Sequence, residues 1–226
     1  MIISETKKFI FGGIGRSAAT SLHVALRKYN DYRVGKVKSQ FHPAVFSKNK
    51  NKKFPFRKHA PFRVAKACVP EFDEYFKFCI FRNPWDLIVS KYFYHRGDKC
   101  RRKNSFFCRN ARNMSFLEWA RDERHYSLLY ELPIQTFREF VSDEGGEQYQ
   151  VTVYNFSHLD RMVADLNERG INVTLSRENA TRHEHYSRYY QGDSEIINKI
   201  RDHFSWGVDL FGFKFNTTGS VFKVSL

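Results

Sequence analysis

Residues Gly12–Leu22, GGIGRSAATSL, limit what this chain can fold into more than any other stretch. They follow a short β-type run, Lys8-Phe9-Ile10-Phe11, and open a helical pattern that continues through Val24, Ala25 and Leu26. A strand that turns through glycines into a helix start presents backbone N–H groups, and the positive end of the helix dipole, to an anion. Gly13 and Gly15 let the chain turn tightly and approach a ligand. Arg16 adds a fixed cation with bidentate reach. Ser17, Thr20 and Ser21 add hydroxyl donors around Ala18 and Ala19. A Walker loop needs Gly, four residues, then Gly-Lys-Ser/Thr. Counted from Gly13, the last three places fall on Ala18, Ala19 and Thr20, so the lysine that reaches the β- and γ-phosphates is missing. The turn predicts a phosphate site that is not built for a magnesium triphosphate. The plain alternative is an ordinary glycine-rich connection.

A second strand–turn–helix unit follows. Tyr75–Phe81 is an aromatic run that reads as a buried strand. Arg82-Asn83-Pro84 ends it, and Pro84 suits the first position of a helix carrying Leu87, Ile88, Tyr92 and Phe93 on one side. Arg82 then stands at the carboxyl end of a strand and Ser90 two turns up the helix. Ligands of open α/β sheets sit beyond the carboxyl ends of the strands, so Arg82 and the Gly12–Ala19 turn are expected on one rim. Phe81 and Trp85 read as core.

The rest of the chain continues the alternation. A strand is expected around Tyr32–Val37, a helix from Ala60-Pro61 that ends before Pro70, and a helix capped by Ser115. Tyr149–Tyr154 reads as a strand, and Ser157 with Asp160 starts a helix that Gly170 stops. Asp193 caps SEIINKIRDHFSW, LFGFKF closes the fold, and the tail after Phe215 carries no signal. The expected architecture is one α/β domain over 1–226, a three-layer sandwich around a central, mainly parallel sheet. It would carry basic insertions at about 40–58 and 97–112 and a short tail at 216–226.

The net charge is +14. Residues 48–66 hold eight Lys/Arg and no acid, and residues 95–112 hold seven against Asp98, so these two segments account for the whole excess. Charge localised in this way attracts polyanions; two solvated loops are the alternative. Of the four cysteines, Cys79 reads as core, and Cys100 and Cys108 flank the second basic loop, where an oxidising compartment would pair them. No CxxC pair or zinc-type His/Cys spacing stands out. No stretch approaches the ~18 apolar residues of a membrane helix. MIISETKKF has no apolar signal core, so the expected setting is cytoplasmic with no membrane segment.

Taken together, three motifs resemble the sulfotransferases that use 3′-phosphoadenosine-5′-phosphosulfate (PAPS), the carbohydrate type in particular. GGIGRSAATSL looks like their 5′-phosphosulfate loop, and FKFCIFRNPWDLIVSKY is similar to their 3′-phosphate motif. ENATRHEHYSRYY followed by DLFGFKF resembles the segment that closes over the nucleotide, and KHAPFRVAK is also familiar from the group. The likeness spans roughly residues 7–215. It implies PAPS as donor, PAP as product, no metal, and a hydroxyl acceptor on a carbohydrate or similar molecule. By the same resemblance, Gly13, Gly15, Arg16, Ser17, Ala18, Ala19, Thr20, Ser21, Arg82, Ser90 and Arg182 would bind the donor, with Asn179 and Tyr186 as weaker candidates. Arg16 would also stabilise the leaving group, and His59 would be the base, with His42 second. Arg16 stands where a lysine is usual, Gly15 where one variant has proline, Ala19 where a glycine is common, and Leu87 where arginine is common. The basic segments suggest an anionic acceptor. The competing readings are a P-loop kinase or nucleotidase, and a non-catalytic polyanion-binding protein. No recognisable nucleic-acid module is present.

Overall fold

A computed structural model describes residues 1–31, 59–101, 105–128, 136–176, 183–217 and 219–226. The strand expected at Tyr32–Val37, the first basic segment at about 40–58, His42, Asn179 and Arg182 lie outside these. Among the described residues the strands are β1 (Ile2–Ser4), β2 (Phe9–Gly12), β3 (Phe76–Phe81), β4 (Thr152–Asn155) and β5 (Lys223–Ser225). The helices are α1 (Ala19–Leu26), α2 (Phe62–Lys66), α3 (Pro84–Arg96), α4 (Asp98–Arg101), α5 (Phe106–Asn113), α6 (Phe116–Ala120), α7 (Phe137–Val141), α8 (Leu159–Glu168), α9 (Ser187–Tyr190), α10 (Ser194–His203) and α11 (Ser205–Phe211).

The strands form one sheet in the order β1-β2-β3-β4-β5. β2, β3 and β4 are parallel, and β1 and β5 pair antiparallel at the two edges. The sheet is therefore mixed, and only its centre is parallel. Strand alternation divides the core in two. Phe9, Phe11, Phe78, Ile80 and Tyr154 pack with Leu22 and Leu26 of α1 and Met162 and Leu166 of α8. Ile10, Cys79, Phe81 and Val153 pack with α2, α3, α7, α10 and α11. Helices thus cover both faces, which is why β2 and β3 are almost wholly apolar; the exception is Lys77, whose ammonium donates to the carbonyls of Phe72, Asp73 and Tyr75.

Local signals explain several helix starts. Asn83 Oδ1 accepts from the N–H groups of Trp85 and Asp86, with Pro84 at the first position of α3. Ser115 with Glu118, and Thr136 with Glu139, form reciprocal capping boxes at α6 and α7. Asp193 caps α10 through Ile196 N–H. α8 begins at Leu159 after a 3₁₀ turn over Phe156–His158 capped by Asn155, two residues later than Ser157 suggested.

Two expectations are corrected. The segment 97–112 is not a loop, because it contains α4 and α5. Ser105 Oγ accepts from Cys108 N–H to start α5, and Cys108 and Ala111, one turn apart, are buried. The density of arginine and lysine hid this short apolar face. The tail after Phe215 is not featureless either. Asn83 Nδ2 donates to Thr217 O (2.9 Å), Asn155 Nδ2 donates to Val221 O (3.0 Å), and β5 then pairs with β4. Side-chain amides at the ends of β3 and β4 supply donors that the tail's own sequence does not reveal.

α6 and the turn after it enclose His125. Its ring is 0% exposed and stacks on Trp119 with centroids 4.1 Å apart, and neither ring nitrogen has a hydrogen-bond partner. Burial pushes its pKa down to about 4, helped by the nearby Lys91 and Arg124 cations; Asp122, 3.8 Å away, opposes the shift only in part. The unfolded chain therefore binds a proton at His125 that the folded chain refuses between about pH 6.5 and 4, so stability falls with pH across that window. We predict that this residue alone costs up to ~3 kcal/mol of stability by pH 4. Urea midpoints at pH 7 and 4.5 check it: His125→Phe should lose less stability than the wild type over that interval. An equal loss in both proteins would contradict the assignment.

Candidate functional site

The parallel register brings the carboxyl ends of β2, β3 and β4 to one rim, with Gly12 opposite Cys79 and Phe81 opposite Asn155. The turn after β2 passes through two non-glycine residues in left-handed conformation, Arg16 (φ 66°) and Ala18 (φ 53°). Each such residue costs about 1–2 kcal/mol, so surrounding contacts must hold the turn in place. Left-handed residues close together in a turn aim successive N–H groups toward a common side, where an anion can sit. α1 opens with no side-chain cap and no acid in its first turn, so nothing in that turn offsets the positive end of its dipole.

Arg82 does much of the holding. From the end of β3, Nη1 donates to Arg16 O (2.8 Å) and Nε donates to Asp86 Oδ2 (2.7 Å) one turn into α3. The guanidinium lies 4.6 Å from the centroid of the Phe156 ring, just past β4. A planar cation with separate donors can do this; an ammonium cannot reproduce the fork. Arg16 reaches the opposite way. Its Nε donates to Ser90 Oγ (3.2 Å), which is fully buried, and its guanidinium lies over the Tyr94 ring at 4.8 Å. Turn and helix are thus bonded to each other at two points.

His59 joins from the other side, with Nδ1 2.8 Å from Gly13 O. A carbonyl only accepts, so Nδ1 carries the proton and Nε2 is the basic nitrogen of the neutral ring. Ser17 is 1% exposed, and its Oγ has no hydrogen-bond partner. A Cβ added at Gly15 would meet nothing within 4 Å, whereas one at Gly12 would lie 2.8 Å from the Phe62 ring. Gly12 is therefore required by packing, and Gly15 has no close neighbour among the described residues.

Of the residues expected here, Gly13, Gly15, Arg16, Ser17, Ala18, Thr20, Arg82, Ser90 and His59 lie on this rim. Ala19 and Ser21 are buried in the first turn of α1. The left-handed position is Ala18, so the concern about a missing glycine at Ala19 shifts by one residue. Tyr186 ties the carboxyl-terminal segment down, its hydroxyl donating to Phe215 O and accepting from Asn83 Nδ2. Phe81 and Trp85 are core.

Asp86, Tyr94, Phe156 and His183 also contribute to the site, beyond the residues expected from the sequence. The i, i+4 spacing of Arg82 and Asp86 was a legible signal. The other three arrive by tertiary contact; His183 Nε2, for example, sits 3.9 Å from Asp86 Oδ1. Chemically, the site combines two arginines, backbone amides, hydroxyls and one histidine with a defined basic nitrogen. Groups of these types at this spacing have the chemistry to hold a phosphate-like anion and to accept a proton beside it. Comparison with protein-family models, curated proteins and solved structures finds no match.

The orphaned Ser17 hydroxyl gives a direct test. Ser17→Ala removes a buried group that no described residue satisfies, so the ligand-free protein should keep its stability or gain up to about 1 kcal/mol. If the turn cradles an anion, affinity for inorganic phosphate should fall by about tenfold, the value of one charge-assisted hydrogen bond. Chemical denaturation and calorimetry on the same preparation check both. A clear loss of stability with unchanged affinity would make Ser17 structural.

Proposed function

We propose that this chain is a sulfotransferase that moves a sulfuryl group from PAPS to a hydroxyl of a carbohydrate or similar acceptor. The observation that carries the reading is the direct bonding between the Gly13–Thr20 turn and the Arg82/Ser90 pair. The donor has phosphates on the 5′ and 3′ positions of one ribose, and two anion-binding groups at one rim suit that spacing. In this reading the turn is a P-loop-like phosphosulfate cradle without a triphosphate lysine, in a three-layer α/β domain.

When bound, the donor supplies the sulfuryl group and a phosphate leaving group. Arg16 and the amides of Ser17–Thr20 neutralise charge that develops on the bridging oxygen. An arginine does this as a permanent cation and does not donate its proton. Arg82 and Ser90 hold the 3′-phosphate, with Asp86 and Phe156 fixing the guanidinium plane. His59 Nε2 takes the proton from the acceptor hydroxyl, and the Gly13 carbonyl keeps the ring in the required tautomer. Most of the rate enhancement then comes from positioning and charge complementarity. The two basic segments would favour an acidic or already sulfated acceptor.

Calorimetry separates this reading from a kinase. Adenosine 3′,5′-bisphosphate should bind at least ~10-fold more tightly than ATP with magnesium, and Arg82→Lys should weaken it by ~10–100-fold. His59→Ala should leave that affinity unchanged and cut transfer from labelled PAPS to a glycan panel by ~10²–10⁴-fold. Preference for ATP with magnesium, or full turnover in His59→Ala, would contradict the proposal. Salt-sensitive DNA binding without bisphosphate binding would favour the polyanion-binding alternative.

A further inference from the structure

Apart from the rim, the described residues hold a second chemical cluster at the far end of α3. His95, Cys100 and Cys108 come from α3, α4 and α5, and their ligand atoms all lie within 4.8 Å of one another. All three are buried, at 6%, 2% and 1% exposure. The two cysteines are bonded, with Cα atoms 5.9 Å apart. His95 Nδ1 faces both sulfurs, 3.6 Å from Cys100 Sγ and 3.8 Å from Cys108 Sγ. In a tetrahedral zinc site, with Zn–S near 2.3 Å and Zn–N near 2.05 Å, a thiolate and an imidazole nitrogen stand about 3.6 Å apart and two thiolates about 3.8 Å. The imidazole is therefore already at zinc-ligand distance from both sulfurs. Only the sulfurs would have to part, and their α-carbons are spaced widely enough to allow it.

The sequence around the cluster is basic. Cys108 is the third residue of α5, where Ser105 caps its N–H, and Arg112 Nη1 donates to Cys100 O (3.4 Å). Residues 95–112 carry a net charge of +6. Two thiolates with one divalent ion would form an overall neutral, buried centre, which a bare pair of thiolates would not.

We propose that His95, Cys100 and Cys108 form a thiol-dependent site for a tetrahedral divalent metal of the zinc type, one that competes with the Cys100–Cys108 disulfide. A phosphine breaks the S–S bond and is oxidised to its oxide. One water supplies the oxygen and the two protons that yield two thiols. Metal binding then expels both thiol protons to solvent. Three protein ligands leave the fourth position to water or a solute thiol. Either state, disulfide or metal, pins α4 and α5 to the end of α3. His95 follows Tyr94, whose ring lies under Arg16, so the cluster braces the helix that carries Ser90.

The test uses the full chain and cobalt as the probe. Protein reduced with a phosphine under argon should take up about one equivalent of Co²⁺, with the thiolate charge-transfer and d–d bands of a tetrahedral site. Unreduced protein should take up less than ~0.1 equivalent, and His95→Ala should weaken reduced-state binding by at least ~10-fold. The comparison of oxidised with reduced wild type needs no variant and is unaffected by a folding defect. Equal uptake in both states, no tetrahedral bands after reduction, or unchanged binding in His95→Ala would each overturn the proposal.

Discussion

One guanidinium holds the rim together. Arg82 bonds the carbonyl of Arg16 in the first turn, the carboxylate of Asp86 in α3, and the face of Phe156 beyond β4. Those three partners follow the three central parallel strands, so a single side chain registers the ends of β2, β3 and β4. Charge-assisted bonds of this kind, with only 10% of the Arg82 side chain exposed, are worth more than surface ion pairs and fix geometry as well as energy. They help hold two alanine- and arginine-bearing left-handed positions that a free loop would abandon.

The parts of the fold visible in the sequence are those set by local physics. The two strand–turn–helix units were legible from aromatic runs ended by glycine or by Arg-Asn-Pro, and the helix starts at Ser115 and Asp193 from their caps. The carboxyl-terminal strand was not, because its pairing depends on Asn83 and Asn155 donating to carbonyls of the tail. α5 was obscured by net charge, which reports solvation of one helix face and says little about the opposite one. β1, a three-residue edge strand, is too short to leave a periodic signal.

The candidate site shows the same division. Arg16, Ser17, Arg82 and Ser90 are legible in the sequence because their residue types and spacing suit an anion, and the structure brings them within hydrogen-bonding reach of one another or of the same turn. Tyr94, Phe156 and His183 shape the site through contacts between distant segments, and a single sequence carries no record of those contacts. The polar groups also divide by role. Asn83 and Asn155 hold backbone groups of the helix starts and of the tail, while Ser17 Oγ is buried without a partner among the described residues. An unsatisfied buried hydroxyl beside strained backbone is a cost that a bound anion would remove, in keeping with the proposed function.

The central claim is that the turn and the Arg82/Ser90 pair are two halves of one nucleotide site. Calorimetric titration of the wild-type protein with adenosine 3′,5′-bisphosphate, adenosine 5′-monophosphate and adenosine 3′-monophosphate tests it most directly. The account predicts one shared site for which all three compete, with the bisphosphate at least ~10-fold tighter than either monophosphate. Simultaneous binding of the two monophosphates at separate sites, or a bisphosphate no tighter than the better monophosphate, would contradict it.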